Sequence, residues 1–341
     1  MPRQMRVGAE NLMRLVQRLF TAFLVIVLSA CLTQRAAGEN CITQAQMDAP
    51  MRDTLVKEAL AAGKALLSGD PAAIAEASAP DFAAAAQSSA GPLTRAAHGA
   101  SLTVDALWIL EATDVAANQQ NAQFFCGIAN APAHSTFNFS SLPPSRYAVV
   151  FLHATGIDAP QQIALVLKDV GGAWKIAGFS FRPLTLAGHD AVWYWSQARD
   201  YAKKKQLWNA YFYYATAAYL ATPAAYISTG NLEKLVQEQQ ASAPPDLPRS
   251  GHPLVVAGAS GQFQVADVST DGSLGGLDLV LRYSANDVSD PAATRQKNIE
   301  LMHAMLTLHP ELQSAFHGLW VYAVAPGQSP FGIELPMSEI H

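Results

Sequence analysis

Chemistry at neutral pH needs a well-placed base, nucleophile or metal ligand, and this 341-residue chain offers few in a usable pattern. His153 shares one alternating strand face with Tyr147, Val149 and Phe151. It is the one titratable residue of that face able to turn inward. Tyr147 beside it and Trp174 on a later strand complete a candidate pocket. No Asp or Glu lies between Asp114 and Asp158, so the central strands carry almost no acid, and the ordinary reading of His153 is a rim histidine with a satisfied hydrogen bond. His189 and Asp190 are adjacent, so their side chains diverge, and Asp190 is better placed to cap a helix. His303 and His309 are six apart, off one helical face, and with His317 they bracket a late helix without making a metal motif. Gly258-Ala259-Ser260-Gly261 approaches the nucleophile pattern G-x-S-x-G, but Gln262 stands where its second glycine belongs. The chain has no G-x-G-x-x-G, no P-loop, no C-x-x-C and no H-E-x-x-H. No catalytic residue, metal ligand or cofactor is therefore expected.

The cysteines carry a different message. Cys31 ends the run Leu28-Ser29-Ala30-Cys31, which closes an apolar stretch over residues 19–30 broken only by Thr21 and Ser29. The tetrapeptide resembles the lipobox of bacterial lipoproteins. That resemblance implies a signal peptide over residues 1–30, lipidation of Cys31 and a lipid anchor in the cell envelope. With Leu32 following the cysteine instead of Asp, it favours the outer membrane, facing the periplasm. The stretch is short of the roughly 20 residues a spanning helix needs and suits a signal-peptide core, with Arg14 and Arg18 as the positive flank. Met13 fits the start of such a signal better than Met1. A plain cleaved signal ending at Ser29-Ala30 and an uncleaved anchor are the alternatives. With Cys31 spent on lipid, Cys41 and Cys126 are the remaining pair in an oxidising compartment. A structural disulfide is the first reading and two buried thiols the second.

Loss of residues 1–30 takes away four Arg and one Glu, leaving 18 basic and 26 acidic residues. An acidic mature chain argues against nucleic acid and against docking on anionic lipid. About 310 residues suggest two domains.

The elements that must position these residues read as α+β. Residues 31–47 form a lipidated tether. Asp48 caps a helix with Pro50 in its first turn; Gly69-Asp70-Pro71 ends it and starts a second, to about Ala79. Residues 80–101, rich in Ala, Gly and Ser, have no clear assignment. Strands are expected near 103–110, 123–128, 135–140, 147–154, 163–168 and 174–181, the last two joined by Asp169-Val170-Gly171-Gly172. Leu67-Ser68-Gly69-Asp70-Pro71-Ala72-Ala73 with Pro80-Asp81-Phe82, and Gly172-Ala173-Trp174-Lys175-Ile176-Ala177-Gly178-Phe179, resemble the opening and closing segments of NTF2-like proteins. The resemblance implies a curved antiparallel sheet, a cone, over residues 48–185, with His153 and Tyr147 at its pocket, although 83–135 depart from the family. Such enzymes set a carboxylate or a His–Asp pair in the cone, and the acid is missing here. Leu142-Pro143-Pro144-Ser145-Arg146-Tyr147 resembles a turn of transthyretin-like modules and offers a β-sandwich instead.

Residues 186–240 differ. Tyr194-x2-Gln197-Ala198-x2-Tyr201 and Ala210-x3-Tyr214-x2-Ala217, with Pro223, resemble one tetratricopeptide repeat, which implies a helical hairpin followed by a cap helix near 232–239. A single repeat cannot bury its own face, so most of its aromatics should be inter-domain core. Trp193, Trp195, Trp208 and Tyr211 are the candidates for an exposed partner surface. Residues 241–253, with four prolines, read as a linker, and 254–341 as a βββαββ domain. The expectation is a non-catalytic, membrane-tethered envelope lipoprotein that binds or scaffolds through an envelope protein partner. The alternative is an NTF2-like small-ligand binder or enzyme.

Overall fold

The computed structural model describes residues 41–113, 120–127 and 134–340. The signal segment, the Cys31 lipobox, residues 31–40 of the tether and Ile128 lie outside the described residues. The described chain is mixed α+β, with eight helices and several sheets, none of them closed.

Local side-chain signals set the helix starts. In α1 (Ala49–Ser68) the Asp48 carboxylate accepts from Met51 N at 2.8 Å, Pro50 sits in the first turn, and Gly69 ends the helix at φ 68°. Asp70 and Pro71 repeat the device for α2 (Pro71–Ala77). The Ala-rich stretch folds into two short helices, α3 (Ala83–Ser89) and α4 (Gly91–Ala96), anchored by buried Ala86 and Leu93.

A five-stranded antiparallel sheet follows, in the spatial order β1 (Cys41–Thr43), β2 (Ser101–Glu111), β5 (Arg146–Thr155), β6 (Gln161–Val170), β7 (Ala173–Pro183). The β6–β7 turn needs two left-handed residues. Gly171 and Gly172 supply them, and Asp169 accepts from Gly172 N at 2.7 Å. Strand β5 is apolar on both faces because both are covered. Ala148, Val150, Leu152 and Ala154 face α1, while Tyr147, Val149 and Phe151 face a second sheet. Helix α1 approaches so closely that a Cβ at Gly63 would stand 2.7 Å from Leu152 Cδ1.

The second sheet holds β3 (Gln120–Gly127), β4 (His134–Ser141) and β10 (Ile227–Thr229), in the order β10-β4-β3. The Cys41–Cys126 disulfide, with Cα atoms 5.4 Å apart and a sequence separation of 85, staples the two sheets together. In the chain-entropy picture such closure is worth about 4 kcal/mol.

The small β8 (Thr185–Leu186) and β9 (His189–Asp190) lead into α5 (Ala191–Lys203), capped by Asp190 accepting from Trp193 N at 2.8 Å. Then come α6 (Leu207–Ala221) and α7 (Gly230–Ala241). The last sheet runs in sequence order: β11 (Leu254–Gly258), β12 (Gly261–Asp271), β13 (Asp278–Ser284), β14 (Gly318–Val324), β15 (Phe331–Pro336). Its pairs are antiparallel except β13–β14, which are parallel because α8 (Pro291–Leu308) crosses over between them.

Tyr194, Trp208, Phe212 and Tyr213 of the hairpin share one core with Leu279, Leu301, Met305 and Val321. The segment read as a linker is part of that unit. Asp246 accepts from Trp208 Nε1 at 3.0 Å and lies 3.0 Å from His309 Nε2, and Leu247 packs on the core.

Candidate functional site

Tyr147 lies near the start of β5, 2% exposed, and its hydroxyl donates to Pro143 O at 2.8 Å. Burial, helped by the charge of Asp81, pushes the phenol up to about 12. His153 stands six residues along the same face, where the strand reaches solvent. Its Nε2 is 3.8 Å from Asp105 Oδ2. The sequence reading found no acid for this histidine. The acid comes from a bulge in β2: Thr103, Val104 and Ala106 pair with His153, Leu152 and Phe151, and Asp105 is the extra residue. Trp174 is on the opposite face, packed toward α1, with the Arg146 guanidinium 5.8 Å from its ring. The expected pocket of Tyr147, His153 and Trp174 is therefore corrected. The period-two geometry of the sheet puts Tyr147 and Trp174 on opposite sides of it.

Tyr147 instead forms part of a cleft of about 390 Å³ on the face away from α1, between β6–β7 and β4. Val166 and Ala177 line it beside Tyr147, and Phe139, Phe179 and Tyr226 supply aromatic walls. A second bulge shapes it. Val166 pairs with Gly178 and Leu167 with Ile176, so Ala177 is extra and turns to the cleft side. At the mouth, Lys168 Nζ donates to Asp81 Oδ2 at 2.8 Å, and this bond holds the Asp81 carboxyl below the usual carboxylate range.

Tyr226 is the residue that sequence reading missed. It precedes β10, whose pairing with β4 brings the chain back from the hairpin. Its ring stacks on Phe139 at 4.8 Å between centroids. Its hydroxyl is buried and has no hydrogen-bond partner among the described residues, and burial pushes the phenol well above its ordinary range. A phenol in this state lacks a bond worth about 1–3 kcal/mol. The cleft thus presents an apolar, aromatic-walled cavity with a charged rim, suited to holding a small, largely apolar molecule.

The hairpin aromatics are mostly committed. Trp208 is 2% exposed, bonded to Asp246 and packed against His309 at 4.5 Å, which removes it from the expected partner surface: its polar edge is satisfied inside the core. Trp195 donates to Glu238 Oε2 at 2.7 Å under the Arg199 guanidinium. Trp193 stacks on His189 at 3.6 Å. Tyr211 is partly buried beside Phe212. His303, His309 and His317 do not converge. His309 faces Asp246 and Glu311, and His317 faces Asp278. Residues able to hold a metal come together at Asp278, His317 and Glu334.

Among the described residues, no helix is long and apolar enough to cross a membrane. Comparison with protein-family models, curated proteins and solved structures gives no match to this chain.

Proposed function

We propose that this chain is an envelope lipoprotein, tethered through acyl chains on Cys31, that acts by binding, with its first domain taking a small, largely apolar molecule into the Tyr147–Tyr226 cleft. The observation that carries the reading is the aromatic-lined cavity with Tyr226 in its wall, the Tyr226 hydroxyl being buried with no hydrogen-bond partner among the described residues. A ligand with one hydrogen-bonding atom that draws the Tyr226 side chain toward the cleft would give the hydroxyl a partner, and such a bond is worth most where water is excluded. The anchor rests on Leu28-Ser29-Ala30-Cys31 alone. Two acyl chains suffice for stable attachment. In this reading residues 48–185 are NTF2-like with one departure: the pocket opens between two sheets, with Asp81 and Phe82 of the α2–α3 turn at its rim.

A catalytic alternative rests on His153 and Asp105, 3.8 Å apart. Both are partly exposed, and neither lines the cleft, which favours binding over turnover.

The test uses the Cys31→Ser protein, which should move from the membrane to the soluble fraction. Titration with the apolar anionic dye 1-anilinonaphthalene-8-sulfonate should give saturable fluorescence. Phe139→Ala and Tyr226→Phe should each weaken it, while His153→Ala leaves it unchanged. Equal dye binding in all four proteins would overturn the cleft. Unchanged fractionation of Cys31→Ser would overturn the anchor.

A further inference from the structure

The outer face of the last sheet carries a second arrangement that the cleft reading does not use. Asp278, the first residue of β13, is fully buried; its Oδ1 lies 3.0 Å from His317 Nδ1 and its Oδ2 accepts from Trp320 Nε1 at 3.1 Å. Glu334, opposite Trp320 on β15, turns toward the same spot. Its Oε1 is inaccessible to solvent and has no hydrogen-bond partner among the described residues. One ligand atom from each of Asp278, His317 and Glu334 lies within 4.8 Å of the other two.

The backbone leaves room for them. A Cβ on Gly318 would collide with Glu334 Oε1 and stand 3.1 Å from Asp278 Oδ1, and one on Gly276 would collide with the His317 ring. Two carboxylates therefore face each other across a glycine. An orphaned, buried carboxylate oxygen beside a second carboxylate calls for a positive charge between them.

We propose that Asp278, His317 and Glu334 form a divalent transition-metal site. One imidazole and two carboxylates form a neutral N,O,O set with a divalent ion, and Zn(II) should bind it more tightly than Mn(II). Ligands of a tetrahedral zinc stand about 3.4 Å apart, given metal–ligand distances of about 2.0–2.2 Å. Asp278 Oδ1 and His317 Nδ1 already stand 3.0 Å apart, within a small adjustment of that spacing. Three protein donors leave the fourth position to water. Rigid strands hold the two carboxylates, and the indole of Trp320 orients Asp278 as an outer-shell donor.

The experiment uses the full chain, stripped with chelator and desalted, and titrated calorimetrically with ZnCl2 and, separately, MnCl2. One zinc per chain is expected, with weaker manganese binding. Glu334→Gln and His317→Ala should each lower zinc affinity by more than about tenfold, the loss that even an outer-shell partner brings. Asp267→Asn, which breaks only the surface pair with Arg282, should not change it. Zinc should raise the melting temperature of the unaltered chain and not that of Glu334→Gln, whose metal-free melt confirms its fold. Absence of zinc binding, or affinities in Glu334→Gln and His317→Ala equal to that of the unaltered chain, would overturn the site and assign the carboxylate pair to a shared proton.

Discussion

In the hairpin, Tyr194 donates to Leu186 O at 3.0 Å, Tyr213 donates to Ala315 O, Trp195 to Glu238 at 2.7 Å, and Trp208 to Asp246 at 3.0 Å. In the cleft, Tyr226 presents an equally buried hydroxyl to nothing among the described residues. Both regions are rich in rings and both are mostly shielded from water. The difference lies in where the polar edges end. An aromatic whose N–H or O–H is spent on the protein stabilises the fold, while one left unspent in a cavity marks room for something else. Aromatic density alone pointed to the hairpin, and hydrogen-bond accounting points to the cleft.

The largest test of this contrast is truncation in the hairpin. Tyr194 is 1% exposed at the centre of the shared core. Tyr194→Ala should cost roughly 3–5 kcal/mol, read as a fall in urea midpoint, with dye binding at the cleft preserved wherever the chain is still folded. Next is the staple beside the cleft: Cys126→Ser should cost about 2–4 kcal/mol and weaken dye binding, since β3–β4 loses its tie to β1. The sharpest comparison is one substitution made twice. Tyr213→Phe leaves Ala315 O without its donor and should cost about 1–3 kcal/mol, whereas Tyr226→Phe removes an unsatisfied hydroxyl and should be neutral or stabilise by up to about 1 kcal/mol. Equal losses in the two would mean that the Tyr226 hydroxyl is already satisfied, and the contrast would collapse.

The smallest effect is in pH. Arg199, bonded through two nitrogens to Glu238, holds that carboxyl below its ordinary value. A carboxyl depressed in the folded state binds fewer protons than in the unfolded chain. Its contribution is thus full above the unfolded pKa and is lost as pH falls through the folded one. The pair is partly exposed, so the loss should stay under about 1 kcal/mol. Stability measured from pH 7 downward should show it in the unaltered chain and not in Glu238→Gln.

The legible parts of the fold were those encoded by neighbours in sequence. Asp48 with Pro50, Asp70 with Pro71, and Asp290 with Pro291 announce helix starts because the cap is a bond between a side chain and the next turn. Alternation placed β5, β6 and β7, and Asp169-Val170-Gly171-Gly172 their turn. The site was far less legible. Tyr147 and His153 were identified, but their neighbours were not, since Ala177 beside Tyr147 and Asp105 beside His153 are set by bulges that exist only relative to a pairing strand. Trp208 read as surface because its bond partner Asp246 lies 38 residues on.

By itself the sequence determined the α+β character, the main helix starts and strand alternation, and the acidic balance of the chain. It also set out the cysteine arithmetic that makes Cys41 and Cys126 a pair once Cys31 is assigned to lipid. Only the tertiary structure decided which face of β5 carries the cleft, that Tyr226 reaches it through β10, and that the α8 crossover brings His317 beside Asp278. The physical reason is range. Caps, turns and period-two faces are settled within a few residues, whereas burial and the pairing of polar groups depend on contacts between segments far apart in the chain.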